Sequence, residues 1–208
     1  MEKLDLRKKY KPLYQPSEKK VEVVDVPALK FVMIDGQIEP GMAPGTSPVF
    51  HEAMMAAYGI SFTLKFMSKL RIENPIDYSV MALEALWWVE DGDFDITLPD
   101  NWKWTVMMLQ PDHITADMFA AGLEQLRVKR GESEALAKMR LEGFTEGLCV
   151  QTMHFGPYSA EMATIAKMQA FMEENGYRRR GQHHEIYLGD PRRTSPEKLK
   201  TVLRQPVE

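Results

Sequence analysis

The stretch HHEIYLGD, residues 183–190, decides how this chain folds. Alternation along a strand sends His183, Glu185 and Tyr187 to one face and His184, Ile186 and Leu188 to the other. After one polar residue the second face reads as core. The first carries an imidazole, a carboxylate and a phenol in a row. A glutamate between an apolar wall and an aromatic ring either meets water on an open sheet face or sits in a pocket and meets a ligand.

Working outward, the first half of the chain holds a second copy of the arrangement. Glu84-Ala85-Leu86-Trp87 occupies the place of Glu185-Ile186-Tyr187-Leu188, early in the strand that follows a long helix. The closing strands carry TVMMLQP (105–111) and TVLRQP (201–206), which match after a one-residue gap. Each half has a proline-containing loop and helix start after its first strand, GTSP at 45–48 and GPYS at 156–159. Three matches in the same order point to duplication.

The intervening segments fit that plan. VEVVDVPALKFVMID (21–35) reads as two short β pieces broken at Pro27. Ser47 and Pro48 form a cap and first-turn proline, opening a helix that runs to about Leu70. YSVMALEALWWVE (78–90) is a strand rich in large apolar residues, broken by DGD (91–93), and a long hairpin connection leads to WKWTVMMLQP (102–111). Residues 115–143 are helical in composition with a break at Gly131. GLCVQTMHF (147–155) is a strand. Ser159 caps the next helix, whose Met162, Ile165, Met168 and Met172 form an apolar stripe ending at Asn175-Gly176. Thr194-Ser195-Pro196 opens a short helical turn, and LKTVLRQPV (199–207) closes the chain as a strand.

The order is β-α-β-β, a helical insert, then β-α-β-β. This is an α+β fold: tandem βαββ repeats forming a largely antiparallel sheet, with helices on one face and a ligand groove between the halves. Residues 1–20 form a basic, proline-punctuated arm laid over the domain. Residues 21–208 form one domain, with halves at about 21–111 and 147–208 and the insert at 115–143. Met81, Leu83, Ala85, Trp87 and Val89 make an all-apolar face and are expected under the helices. Ala82, Glu84, Leu86, Trp88 and Glu90 then face the groove. On this reading Glu84 and Glu185 both point into it, with Trp88 and Tyr187 beside them. Trp104, Val106, Met108 and Gln110 share one face of the next strand.

Bulk composition narrows the function classes. Of 208 residues, 44% are hydrophobic, enough for a packed core. A net charge of −4 argues against a general affinity for nucleic acid or anionic membrane. The single cysteine, Cys149, forms no internal disulfide, and the first residues lack the apolar core of a signal sequence, so a cytoplasmic location is expected. No apolar run reaches the roughly 20 residues that span a bilayer. The 15 methionines fit either a flexible core or a cavity that accepts varied apolar ligands.

The whole chain resembles the GyrI-like small-molecule-binding proteins in their stand-alone form. HHEIYLGDPRRTSPEKLKTVLRQPV (183–207) carries the strongest match, supported by LEALWWVEDGDF (83–94), WKWTVMMLQP (102–111) and GLCVQTMHFGPYS (147–159). The resemblance implies a tandem βαββ fold with a ligand cleft between the halves. It implies binding of bulky, often cationic, aromatic compounds against a deep glutamate, which here matches Glu185. The tryptophan-rich first half is also similar to a subfamily that hydrolyses the strained cyclopropane of DNA-alkylating natural products within an aromatic cage.

In that chemistry aromatic walls hold a flat ligand and exclude water. A carboxylate in an apolar cavity exchanges protons near neutrality. Glu185 is the expected water-orienting base or acid. Trp88, Trp104, Phe155, Tyr158 and Tyr187 are the expected cage, with Glu84 as pseudo-symmetric counterpart and His154 nearby. No cofactor is expected. HHE at 183–185 lacks the helical spacing of a zinc protease motif, no glycine-rich phosphate loop is present, and Ser159 and Ser195 read as helix caps. Two functions follow: a cofactor-free hydrolase that detoxifies reactive xenobiotics, or a module that sequesters or senses hydrophobic or cationic drugs without chemistry. Peptide capture in the groove is a third reading, which a cavity too small for a peptide would end.

Overall fold

The computed structural model describes residues 2–92, 94–96, 98 and 101–208. Asp93 of the expected break, and Thr97, Pro99 and Asp100 of the expected hairpin connection, lie outside the described residues. The strands are β1 (Glu2–Leu4), β2 (Glu22–Gln37), β3 (Ile76–Tyr78), β4 (Leu83–Trp88), β5 (Lys103–Gln110), β6 (Arg140–Phe155), β7 (His183–Tyr187) and β8 (Lys200–Pro206). The α-helices are α1 (Leu6–Lys9), α2 (Lys11–Tyr14), α3 (Pro48–Lys69), α4 (Ala116–Arg130), α5 (Glu134–Ala137) and α6 (Met162–Glu174).

The fold is mixed α+β and its main sheet is antiparallel throughout. Strands in the order β2, β5, β4, β7, β8, β6 close into a barrel. Closure depends on the 16-residue β2, which pairs with β5 over Lys30–Gln37 and with β6 over Glu22–Met33. The expected break at Pro27 is absent. The ladder steps over it, from Val26 opposite Gly147 to Ala28 opposite Thr145, so the missing N–H interrupts one position and not the strand.

The expected helical insert ends earlier than its composition suggests. Gly131, at φ +85°, terminates α4, and β6 begins at Arg140 because Leu141 and Phe144 pair with Val32 and Leu29 of β2. Tertiary pairing overrides local propensity here. Ser47 caps α3 as expected, accepting from Phe50 N at 3.0 Å. Ser159 does not cap α6. It lies in a single 3-10 turn, Tyr158–Ala160, and the helix starts after Glu161.

The two outer helical layers cover different parts of one face. α3 and α4 pack over Val32, Ile34, Ala85, Trp87, Trp104 and Val106, and α6 packs Met168 and Met172 over Val150 and Leu203. Each large apolar side chain so buried contributes about 1.5–3 kcal/mol. Trp104 lies so close over Gly36 that a Cβ there would fall 2.1 Å from its ring, which accounts for glycine in that strand. The other face is the barrel interior, filled by Phe31, Met33, Leu86, Met107, Cys149, Ile186 and Val202.

The N-terminal arm is not simply laid on the surface. β1 pairs in parallel with β3, and Leu6, Leu13 and Tyr14 of α1 and α2 are buried in the barrel cluster. This changes the face assignments. Ala85 pairs with Glu185, and Glu84 pairs with Ile186. Directly opposed residues share a face, so Glu185 and Tyr187 lie on the helical side with Ala85 and Trp87, while Glu84 points into the barrel. The expectation that Glu84 and Glu185 share a groove on the uncovered face is therefore wrong. The sequence match between the halves slips by one residue, and a one-residue slip exchanges faces. The face taken as open is enclosed because the sheet rolls up.

Candidate functional site

Glu185 sits at the seam of the two halves. Its neighbour on β4 is Ala85, under α3, and its neighbour on β8 is Leu203, under α6. Glu185 is only 7% exposed. The Tyr187 hydroxyl donates to Glu185 Oε2 at 2.7 Å, and Trp87 Nε1 donates to the Tyr187 oxygen at 3.1 Å. Tyr158 stands edge-on to Tyr187, with ring centroids 5.6 Å apart, and forms a half-exposed rim. His183 Nε2 lies 3.4 Å from Glu185 Oε1 without the alignment of a hydrogen bond, and the Phe94 ring stacks on the imidazole at 5.7 Å.

A second carboxyl enters from the start of α6. Glu161 is buried beside Glu185 and Thr201. Burial, reinforced by the neighbouring Glu185 charge, raises Glu161 to about 9. The same two causes push the Tyr187 phenol well above its usual range. Like charges this close do not both ionise near neutrality, so the pair holds a proton. Among the described residues Glu161 Oε1, Thr201 Oγ1 and His183 Nε2 are buried with no hydrogen-bond partner. Buried polar atoms are normally satisfied, and here Glu161, Thr201 and His183 are gathered around the Glu185 carboxylate. Glu161 was missed in sequence because an acid near a helix start reads as an ordinary first-turn residue.

The other expected site residues are dispersed. Trp104 is deep core against Phe50, on the strand beyond Trp87. Trp88 is partly buried on the barrel-interior face. His154 is a structural histidine in its contacts, with Nδ1 2.8 Å from Thr164 Oγ1 and Nε2 3.3 Å from the Pro157 carbonyl. Phe155 is half-exposed at the barrel mouth, with the Lys200 ammonium 4.9 Å from its ring centroid. There it lines a cavity of about 450 Å³ with Arg7, Tyr14, Met153, Leu188 and Lys200, which does not reach Glu185. The structure thus gathers Glu185, Tyr187 and Tyr158, and separates Glu84, Trp88, Trp104, His154 and Phe155 from them.

Glu84 belongs to a second polar cluster inside the barrel. It accepts from the Tyr14 hydroxyl at 2.6 Å and lies 3.1 Å from His184 Nε2. His184 Nδ1 faces Glu146 at 3.0 Å, and Glu146 accepts from Arg204 at 3.0 Å. Arg204 also donates to Gln151 at 3.1 Å and to the Leu13 carbonyl at 2.7 Å, which ties the arm into the barrel. Burial alone would discharge both members of the His184–Glu146 pair. Their mutual attraction, with Arg204, outweighs it and brings Glu146 down to about 2 and His184 up to about 9.

These shifts set a stability profile. Glu146 contributes stability above its ordinary 4.5 that is lost as pH falls toward 2. His184 contributes stability below its ordinary 6.5 that is lost as pH rises through 9, and Glu161 loses its favourable protonated state over 4.5 to 9. Thermal unfolding followed by circular dichroism is expected to give a midpoint that is highest just above pH 4.5 and falls on both sides. A midpoint that rises between pH 6 and 9 would contradict the buried protonated groups.

Among the described residues no group of three or more His, Cys, Asp or Glu side chains is placed to hold a metal ion, and no helix is long and apolar enough to cross a membrane. A tandem βαββ sheet with buried carboxyls at the seam of its halves, ringed by phenols and indole, defines a small-molecule-binding architecture. The chain belongs to the GyrI-like family: the model of the GyrI-like small molecule binding domain matches residues 19–208. It is similar to solved structures from Listeria innocua. One, an uncharacterized conserved protein, is 38% identical with a TM-score of 0.89, covering 99% of this chain and 100% of the other. A second, described as a hydrolase, is 38% identical with a TM-score of 0.84 and full coverage of both chains. Another hydrolase is 36% identical with a TM-score of 0.82, covering 99% of this chain and 100% of its own. No curated protein matches the chain.

Proposed function

We propose that the protein binds bulky aromatic xenobiotics at the seam around Glu185 and hydrolyses reactive cyclopropane-bearing alkylating compounds. The observation that carries this is a nearly buried carboxylate, Glu185, held by Tyr187 among aromatic rings and surrounded by unpartnered polar atoms. The hydrolase descriptions of two relatives support the reaction type.

In a cyclopropane fused to a dienone, the ring strain and the carbonyl make the methylene electrophilic. Tyr158, Tyr187 and Phe94 would hold the flat ligand by stacking. Glu185 would take a proton from water as the water oxygen bonds to the methylene carbon. The strained C–C bond breaks, its electron pair passes into the ring, and the carbonyl oxygen at the far end becomes a phenol after taking a proton from solvent. Incubation with a spirocyclopropyl dienone, followed by mass spectrometry, is expected to show addition of one water at a rate above buffer alone. Unchanged starting material would refute the reaction.

The pair of carboxyls also favours a second reading, non-catalytic capture of hydrophobic cations. A bound cation would replace the shared proton, so affinity for tetraphenylphosphonium would strengthen as pH rises toward 9. Such binding without turnover of the dienone would select this reading.

A further inference from the structure

The cavity at the barrel mouth has no part in the seam chemistry. Its volume of about 450 Å³ falls within the roughly 300–1,000 Å³ of pockets that hold small organic molecules. One wall is the N-terminal arm, which supplies Arg7, Tyr14, Pro16 and Glu18. The other is the barrel, which supplies Met153 and Phe155 from β6, Lys200 from β8, and Leu188 just beyond β7.

Both walls are fixed. The Leu13 carbonyl accepts from Arg204 at 2.7 Å and the Pro12 carbonyl accepts from Gln151 at 2.7 Å. Further along the arm, the Ser17 carbonyl accepts from Met153 N at 3.2 Å and from Thr152 Oγ1 at 3.1 Å. Residues 14–16 therefore bridge two anchored points, which holds the arm wall in place. On the barrel side Phe155 and Lys200 are opposed in the β6–β8 ladder, and Leu188 N donates to the Lys200 carbonyl at 2.9 Å.

The lining divides by chemistry. Met153 and Pro16 are buried, Leu188 is partly buried, and the half-exposed Phe155 ring completes an apolar surface. The Tyr14 hydroxyl is committed to Glu84, so this residue offers the cavity its ring. Three exposed charges stand at the rim: Arg7, Lys200 and Glu18. Among the described residues none of the three has an ion-pair partner. Lys200 instead rests its ammonium 4.9 Å from the Phe155 ring centroid, which holds the cation beside the apolar surface. Two cations against one carboxylate leave a single positive charge next to an aromatic and thioether lining.

We propose that this cavity is a second ligand site, separate from the seam, and that it takes an aromatic carboxylate. The ligand ring would lie against Phe155, Met153 and Leu188, with methionine adapting to its outline. Its carboxylate would meet Arg7 and Lys200, which have no competing anion to release. Glu18 limits the site to one negative charge. Because Arg7 and Tyr14 come from the arm and Phe155 and Lys200 from the barrel, the ligand would also join the two. The sign of its charge is opposite to that of a cation captured at Glu185.

The test is calorimetric titration of the intact protein with 2-naphthoate, and with the neutral 2-naphthamide as control. Naphthoate is expected to bind about tenfold more tightly than the amide, the effect of two exposed ion pairs. Its affinity should weaken as sodium chloride is added. Combined Arg7→Gln and Lys200→Gln changes should bring naphthoate down to the level of the amide, and Glu18→Gln should tighten it. Phe155→Ala is expected to weaken both compounds by about fivefold. Trypsin should cut within residues 2–20 more slowly when naphthoate is present. Glu185→Gln, or saturation with tetraphenylphosphonium, should change none of this. Absence of naphthoate binding, or equal affinity for the amide, overturns the site. Binding that Glu185→Gln abolishes and the rim changes leave intact places the ligand at the seam, which overturns the second site and leaves the seam reading standing. Should the double variant unfold, the wild-type protein decides: naphthoate affinity that is indifferent to salt overturns the assignment.

Discussion

Replacing Glu185 by glutamine is expected to lower dienone hydrolysis by roughly 10²–10⁴-fold, the usual contribution of a positioned general base. The same change should leave stability intact or slightly raised. Glutamine has the same shape, keeps an acceptor for the Tyr187 hydroxyl, and removes a charge that repels Glu161. The two effects must appear together. A structural glutamate would instead lose stability along with activity, so rates and urea unfolding curves on the same preparation separate the roles. Tryptophan fluorescence reports ligand binding in the same variant, because Trp87 bonds to the Tyr187 oxygen.

Replacing Arg204 by alanine is expected to destabilise the protein by about 3–5 kcal/mol, read from the urea midpoint. The guanidinium is buried and donates to Glu146, Gln151 and the Leu13 carbonyl. Its removal leaves Glu146 with one fewer cation, frees an acceptor on Gln151, and releases the arm from its deepest tether. Limited proteolysis should then cut within residues 2–20 faster than in the parent. Replacing Glu146 by glutamine in the same chain is expected to recover part of the loss, since the uncompensated charge goes with it. A change below about 1 kcal/mol would mean that the network is solvated and not sealed.

The fold was legible because its signals are local. Alternation in HHEIY and LEALWW marked the strands, Ser47-Pro48 marked the start of α3, and Asn175-Gly176 the end of α6. Each is a statement about a few adjacent residues. The extent of β6 was not legible, because Arg140–Glu146 has no strong strand pattern and is extended only by pairing with β2. The barrel was not legible either. A strand face of Glu84, Leu86 and Trp88 reads the same whether it lines a groove or the inside of a closed sheet.

Alternation alone puts Glu185 and Tyr187 on one face of β7, and there the Tyr187 hydroxyl donates to Glu185. Glu161 and Thr201 were not found, because their proximity to Glu185 joins α6, β7 and β8. Glu84 was misplaced for a related reason. Its resemblance to Glu185 in the repeat is real in the sequence, but the registers of β4 and β7 put the two on opposite faces.

The amino-acid order by itself determined the duplicated βαββ plan, the strand and helix starts, and a glutamate paired with a phenol on one face of β7. Short-range sterics, hydrogen bonding and alternation suffice for these. Only the tertiary structure decided that the sheet closes, that the arm fills its interior, and that a second carboxyl meets the first. Those outcomes depend on which faces find cover and on charges brought together from distant segments, and burial acts on them only once the chain has closed.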